Sequence, residues 1–240
     1  MATASPPKRI VVLTGAGISA ESGLKTFRDN NGLWENHRVE DVATPEAFAA
    51  NPGLVQRFYN ARRSQLVEET QPNQAHIDLA EFEKDYSGEF LLITQNVDDL
   101  HERAGSKNLL HMHGELLKVR CAKTDTIYDR TTPVYYEELC DCCGLPGKLR
   151  PHIVWFGEIP LYMDKIYQAL ERCDLFVSIG TSGNVYPAAG FQQIAQEYGA
   201  RTVELNLEAS KGASRFDECI QGPATEIVGK FFKHLLATQS

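Results

Sequence analysis

Ile10-Val11-Val12-Leu13-Thr14-Gly15-Ala16-Gly17-Ile18-Ser19-Ala20 runs from an unbroken apolar segment straight into a G-x-G-x-x-A spacing. An apolar run without polar alternation, closed by glycine, reads as a parallel strand buried on both faces. Glycines directly after such a strand allow a tight turn in which backbone N–H groups and the start of the next helix approach a pyrophosphate. The spacing alone is a weak signal, because strand-to-helix turns that bind nothing also carry glycines.

The same strand signature returns at residues 90–94, 175–180 and 202–206, with helical patterns between. Asn73 is placed to cap a helix with Ala75, Leu79 and Phe82 on one side, and Pro187 to open one carrying Phe191, Ile194 and Tyr198 that Gly199 closes. Pro223 opens the last, with Ile227, Val228, Phe231, Leu235 and Leu236 on its buried side. Strands alternating with helices predict an α/β fold, a doubly wound, mostly parallel, Rossmann-like sheet covered on both faces. Two segments break the alternation. Residues 30–71 hold helix starts at Thr44-Pro45 and Asn51-Pro52 but no strand, and residues 119–149 are cysteine-bearing and turn-rich. Both are expected to form a smaller lobe, a helical insertion plus a zinc-type module, set into a nucleotide-binding domain of residues 1–29, 72–118 and 150–240.

A dehydrogenase would follow the glycine turn with a second strand ending in an acid about 20 residues on, which holds ribose hydroxyls. Here that stretch is Asn30-Asn31-Gly32-Leu33-Trp34-Glu35-Asn36-His37, a loop, and Glu40 and Asp41 end no strand. Hydride transfer loses ground while dinucleotide binding survives. The chain of 240 residues, 42% hydrophobic and 23% charged, has the composition of an ordinary globular protein. Its net charge of −8 opposes a nucleic acid partner, since that binding rests on Lys and Arg neutralising phosphates. No apolar segment of signal-peptide length and no run of about 18 apolar residues occurs, so a soluble cytoplasmic protein without a membrane partner is expected. Of six cysteines, Cys121, Cys140, Cys142 and Cys143 share one short stretch, which in the cytosol suggests metal before disulfides.

Three further motifs fall beyond the carboxyl ends of expected strands, where open α/β sheets bind ligands. They are Thr94-Gln95-Asn96-Val97-Asp98, His111-Met112-His113-Gly114 and Gly180-Thr181-Ser182. With the Gly15 turn and Ser22-Gly23-Leu24-Lys25-Thr26-Phe27-Arg28 they stand in the order found in the sirtuin family, which the chain resembles over nearly its whole length, most of all the bacterial CobB-type members. The resemblance implies an NAD-dependent protein-lysine deacylase acting on acyl-lysine proteins or peptides. NAD is then a co-substrate: the acyl oxygen attacks the nicotinamide ribose, nicotinamide leaves, and the products are free lysine and O-acyl-ADP-ribose.

An imidazole of pKa about 6.5 is largely neutral at cytosolic pH and able to take a proton from a ribose hydroxyl. Spacing puts His111 and His113 on the same side of one expected strand and does not choose between them. The family's catalytic histidine directly precedes a glycine, which selects His113 as general base and leaves His111 structural. The resemblance assigns NAD to Gly15, Ala16, Gly17 and Ser19, and to a closing loop with Thr26, Phe27 and Arg28, in which Lys25 departs from the proline common in the family. Gln95, Asn96 and Asp98 would hold nicotinamide and its ribose. Gly180, Thr181, Ser182, Asn206 and Glu208 would hold the far ribose and adenine, with Ala224 contributing backbone.

For the substrate, the resemblance offers an edge formed by Val154, Phe156, Gly157 and Glu158 that pairs with an extended peptide. Trp155 between them is equally well read as core. Tyr59 and Arg62 stand three apart and share a helix face. Ordinarily such residues are solvated, but the same Tyr-x-x-Arg pair lines the acyl pocket of sirtuins that remove dicarboxylic acyl groups, where a planar guanidinium suits a carboxylate. Succinyl-lysine and malonyl-lysine hydrolysis beside deacetylation is the expectation.

Relatives carry C-x-x-C twice for tetrahedral zinc. Here the first pair is broken at Thr124, so Cys121, Cys140 and Cys143 keep three places and Cys142 becomes a fourth ligand only if the turn distorts. A structural zinc is favoured over a module standing on packing alone. Two rivals remain on the same residues: an NAD-dependent protein ADP-ribosyltransferase, and an NAD-sensing module without catalysis.

Overall fold

Along β1 (Arg9–Thr14), Ile10 and Val12 enter one hydrophobic core while Val11 and Leu13 enter another. A period of two sends successive side chains to opposite faces, and both faces are covered, which is why the run shows no polar alternation. The computed structural model describes residues 6–25, 33–34 and 37–238. After β1 the chain forms α1 (Ala16–Ser19), a short hairpin of β2 (Leu33–Trp34) and β3 (His37–Arg38), then α2 (Val39–Val42), α3 (Pro45–Ala50), α4 (Pro52–Glu68) and α5 (Gln74–Asp85). Next come β4 (Glu89–Thr94), α6 (Leu100–Ala104), β5 (Leu109–His111), β6 (Gly114–Cys121), β7 (Ile127–Asp129) and β8 (Leu149–Ile153). The chain ends with α7 (Met163–Leu170), β9 (Leu175–Ile179), α8 (Phe191–Glu197), β10 (Arg201–Asn206), β11 (Glu218–Gln221) and α9 (Ala224–Ala237).

The main sheet is parallel, six strands in the order β11-β10-β9-β1-β4-β5. The chain winds from β1 toward β5 and later from β9 outward on the other side, so the strand order reverses at β1. Ligands of such sheets sit beyond the carboxyl ends at that switch point. Helices α5 and α9 cover one face through Leu79, Phe82, Val228 and Phe232, and α7 and α8 cover the other through Ile166, Leu170 and Phe191. None of the described helices is long and apolar enough to cross a membrane.

The expected helix starts are present, with cap side chains satisfying orphan N–H groups: Thr44 Oγ1 accepts from Ala47 N (3.0 Å) and Asn51 Oδ1 from Leu54 N (3.1 Å). Two placements need correcting. Residues 30–71, expected to hold no strand, carry the two-residue strands β2 and β3. β5 ends at His111, and His113 lies beyond it in the turn before Gly114, so the two histidines do not share a strand. Gly114 has φ +85°, and any Cβ there would collide with the His152 carbonyl, so only glycine carries the chain from the large sheet into the small one.

The small sheet is antiparallel, β7-β6-β8, and reaches from Gly114 to Ile153, further on both sides than its cysteine-rich middle. It packs on α4 around Phe58, Tyr59, Leu66, Leu116, Ile153 and Trp155.

Candidate active site

Gly15, Gly17 and Gly180 meet where β1 and β9 end. Gly15 N–H donates to Ile179 O (3.0 Å) and Gly17 N–H to Gly180 O (2.9 Å). A Cβ on Gly17 would lie 2.7 Å from Gly180 Cα, and Gly180 itself has φ +61°. The glycine spacing is thus required first by backbone packed on backbone, and the partly buried turn it leaves is the cradle a dinucleotide would use.

Behind this turn lies a buried polar network. Ser19 Oγ donates to Asp98 Oδ2 (3.1 Å) and accepts from Asn96 Nδ2 (3.0 Å); His76 Nε2 stands 3.3 Å away. His76 Nδ1 accepts from Asn73 N (3.3 Å), completing the capping box of α5, so Nε2 carries the proton and donates to Ser19. The serine hydroxyl is therefore fully used, and it fixes the loop 94–98 against α1. Thr14 and Thr94 hydroxyls bond at 2.9 Å, and His101 Nε2 reaches Thr14 Oγ1 at 3.0 Å. Burial dominates the titration of these groups: it lifts Asp98 to about 6, lowers His76 to about 4 and pushes His101 well below the ordinary histidine value. Sequence reasoning assigned neither His76 nor His101. His76 had a local signal, standing three residues after the cap Asn73.

His113 Nδ1 lies 3.0 Å from Gln95 O. A carbonyl only accepts, so Nδ1 bears the hydrogen and Nε2 keeps its lone pair, the arrangement a general base needs. Burial pulls the ring below the ordinary value, with the Gln95 carbonyl opposing, so it is neutral at pH 7. His111 is built differently, between Asn96 O (3.2 Å) and Glu102 Oε1 (2.6 Å).

On the β9 side, Ser178 and Thr181 hydroxyls bond at 2.9 Å, and Asn206 Nδ2 donates to Thr181 O (2.8 Å), bracing the loop after β9. Ser182 Oγ accepts from Asn184 N (3.3 Å), Glu208 is exposed, and Ala224 opens α9. Gln95 is half-buried at the end of β4, and Ala16 begins α1. Thr26, Phe27 and Arg28 lie outside the described residues.

The edge 154–158 follows β8. Val154 N donates to His113 O (2.8 Å) and Phe156 N to Ala43 O (3.0 Å), tying the segment to the turn that carries His113 and to α2. Phe156 is half exposed, Gly157 has φ +90°, and Trp155 is buried, as its core reading required. Glu158 does not offer a free carboxylate: Arg150 grips both its oxygens (2.7 and 2.9 Å), Arg120 Nη2 lies at 3.1 Å, and Trp155 N donates at 2.8 Å. Arg150 was not foreseen; its guanidinium also lies 3.5 Å over the Trp155 ring. Tyr59 is fully buried rather than solvated, its hydroxyl accepting from Trp155 Nε1 (2.9 Å). Arg62 is half-buried with its guanidinium 4.5 Å over the Phe58 ring.

The four clustered cysteines converge. Their sulfurs all lie within 4.8 Å of one another, with Cys121 and Cys143 at 3.7 Å and Cys140 and Cys142 at 3.3 Å. Zinc with four thiolates at about 2.3 Å needs sulfurs about 3.8 Å apart, so the set is compatible with a structural zinc. Cys142 would take the fourth place, and Thr124 Oγ1 lies 3.0 Å from its sulfur. Cys121→Ser or Cys140→Ser should lower the melting temperature and metal content more than turnover, because ligation would be part of the folding energy. Elemental analysis should find zinc stoichiometric with the chain; none in protein prepared without chelator contradicts this.

The Sir2 family model matches residues 15–187. An NAD-dependent protein deacylase of Pasteurella multocida is 63% identical over 95% of this chain and 98% of its own length. One of Escherichia coli strain K12 is 59% identical over 95% of this chain and 82% of its own. Among solved structures, a Sir2 homologue in complex with NAD is 39% identical with a TM-score of 0.88, over 98% of this chain and 91% of the other. A Sir2 mutant with deacetylated p53 peptide and 3′-O-acetyl ADP ribose is 28% identical with a TM-score of 0.83, over 95% and 94%.

Proposed function

The chain belongs to the Sir2 family and is an NAD-dependent protein deacylase, and on that premise we propose that it removes succinyl and malonyl as well as acetyl groups from lysines of cytoplasmic proteins. NAD supplies the activated ribose carbon with nicotinamide as leaving group. The rest falls to the chain. His113 takes the ribose proton at Nε2, while the glycine turn and the loop after β9 cradle the phosphates and far ribose through Gly15, Gly17, Gly180 and Ser182. Asn96 and Asp98, held by Ser19, orient the nicotinamide end, and backbone groups of Val154 and Phe156 flank an extended peptide.

One observation supports the acyl choice. The Tyr59 hydroxyl accepts from Trp155 Nε1, Trp155 follows Val154, and Val154 N donates to His113 O, so Tyr59, one helical turn from Arg62 on α4, is joined through Trp155 and Val154 to the turn that carries His113. A guanidinium there would meet the distal carboxylate of a succinyl group. Arg62→Met should weaken desuccinylation by about 10-fold or more, given about 1.5–3 kcal/mol for a hydrogen bond to a charged group, and largely spare deacetylation. Tyr59→Phe should act in the same direction but less. Equal loss of both activities in Arg62→Met makes Arg62 a structural residue and ends the succinyl assignment.

A further inference from the structure

We infer that Glu102 is a positioning residue for the reaction, holding His111 as an imidazolium that pins the Asn96 carbonyl and thereby the segment on which His113 is mounted. The inference rests on His113 being the general base.

The two histidines of one motif grip successive carbonyls of one loop: His113 Nδ1 that of Gln95 at 3.0 Å, His111 Nδ1 that of Asn96 at 3.2 Å. On its far side, His111 Nε2 meets Glu102 Oε1 at 2.6 Å. A carbonyl and a carboxylate both only accept, so both ring nitrogens must donate. A neutral ring has one N–H and would leave one of these contacts unmade. His113 has an acceptor on one side only and stays neutral, so the two rings hold opposite charge states two residues apart.

The surroundings of His111 support its charge. From α6 come Glu102 and the neutral ring of His101; from β6 comes Glu115, whose carboxylate forms with Glu102 and His111 a set of ligand atoms within 4.8 Å of one another. Lys118 Nζ offsets Glu115 at 2.6 Å, and Asp98 faces the ring from the loop after β4. Burial alone would drive the proton off His111, whose side chain is 6% exposed, but the Glu102 hydrogen bond and charge, with the Glu115 charge and the Asn96 carbonyl, together raise the ring above its ordinary value. The charge in turn favours the ionised form of Asp98, which burial alone would neutralise. Glu102 therefore bears on both the Asn96 backbone and the Asp98 carboxylate.

Glu102→Gln keeps shape but removes the charge, so His111 becomes neutral at pH 8 and a charge-assisted contact becomes an ordinary one. That exchange is expected to lower kcat about fivefold at pH 8. Glu102→Asp should restore much of the pH 8 rate. Imidazole 15N signals of NAD-free protein should show His111 doubly protonated at pH 7.5 in wild type and neutral in Glu102→Gln. Identical His111 titration in both proteins, or a Glu102→Gln kcat equal to that of the wild type at pH 8, overturns the inference. A wild type that removes no acyl group at any pH overturns the deacylase reading and the inference together, whereas the 15N signals judge the Glu102 contact alone.

Discussion

Replacing His113 by alanine is expected to lower kcat about 100-fold or more, the usual cost of a lost general base, while NAD binding persists. The side chain hangs by a single bond, Nδ1 to Gln95 O, at the rim of the network that joins Ser19, Asn96 and Asp98, so its removal leaves that network in place. The pH profile should carry the same signature. A general base works unprotonated, and burial lowers the His113 pKa, so activity should hold through neutrality and fall only below the ordinary histidine range. His111→Ala should cost much less, since that ring touches backbone and Glu102. Turnover together with calorimetric NAD affinity checks this, and near wild-type turnover in His113→Ala removes the residue from its role.

The second large effect is on stability in acid, and it comes from His76. Its pKa is lowered to about 4 by burial, so below pH 6.5 the unfolded chain takes up a proton that the folded one refuses. The stability this neutral ring contributes is present above pH 6.5 and is lost as pH falls toward 4, at about 1.4 kcal/mol per pH unit. Between pH 7 and 5 that amounts to about 2 kcal/mol. His101 acts in the same direction. Asp98, raised to about 6, acts in the opposite one, since its folded state gains stability as it protonates. His76→Gln isolates the histidine: its unfolding free energy, from urea melts at pH 7 and 5, should fall about 2 kcal/mol less than that of the wild type. Equal falls in the two proteins would mean His76 is not held neutral by the fold.

What the sequence disclosed follows from how local each signal is. Thr44, Asn51 and Asn73 cap helices within three residues of themselves, and each is legible. β1 and β9 are legible because both faces are buried, whereas β11 alternates half-buried with exposed residues at a sheet edge and carries no apolar run. The glycine spacing after β1 is legible but its tightest constraint is not, because the closest neighbour of Gly15 and Gly17 is the backbone of Gly180, far along the chain. Ser19 and Asp98 bond across 79 residues and Tyr59 and Trp155 across 96, separations that no spacing rule reaches. The fourth zinc place stays open in the sequence because Thr124 stands where the first C-x-x-C pair needs its second cysteine, and only the fold brings Cys142 within 4.8 Å of the other three sulfurs.

The central claim, NAD-consuming removal of acyl groups from lysine, is tested most directly by mass spectrometry of acetyl-lysine and succinyl-lysine peptides incubated with the protein, with and without NAD. The account predicts that each peptide loses its acyl mass only when NAD is present, with one nicotinamide and one O-acyl-ADP-ribose appearing for each lysine freed. A peptide or protein that instead gains the mass of ADP-ribose, or peptides unchanged while NAD stays intact, would contradict it.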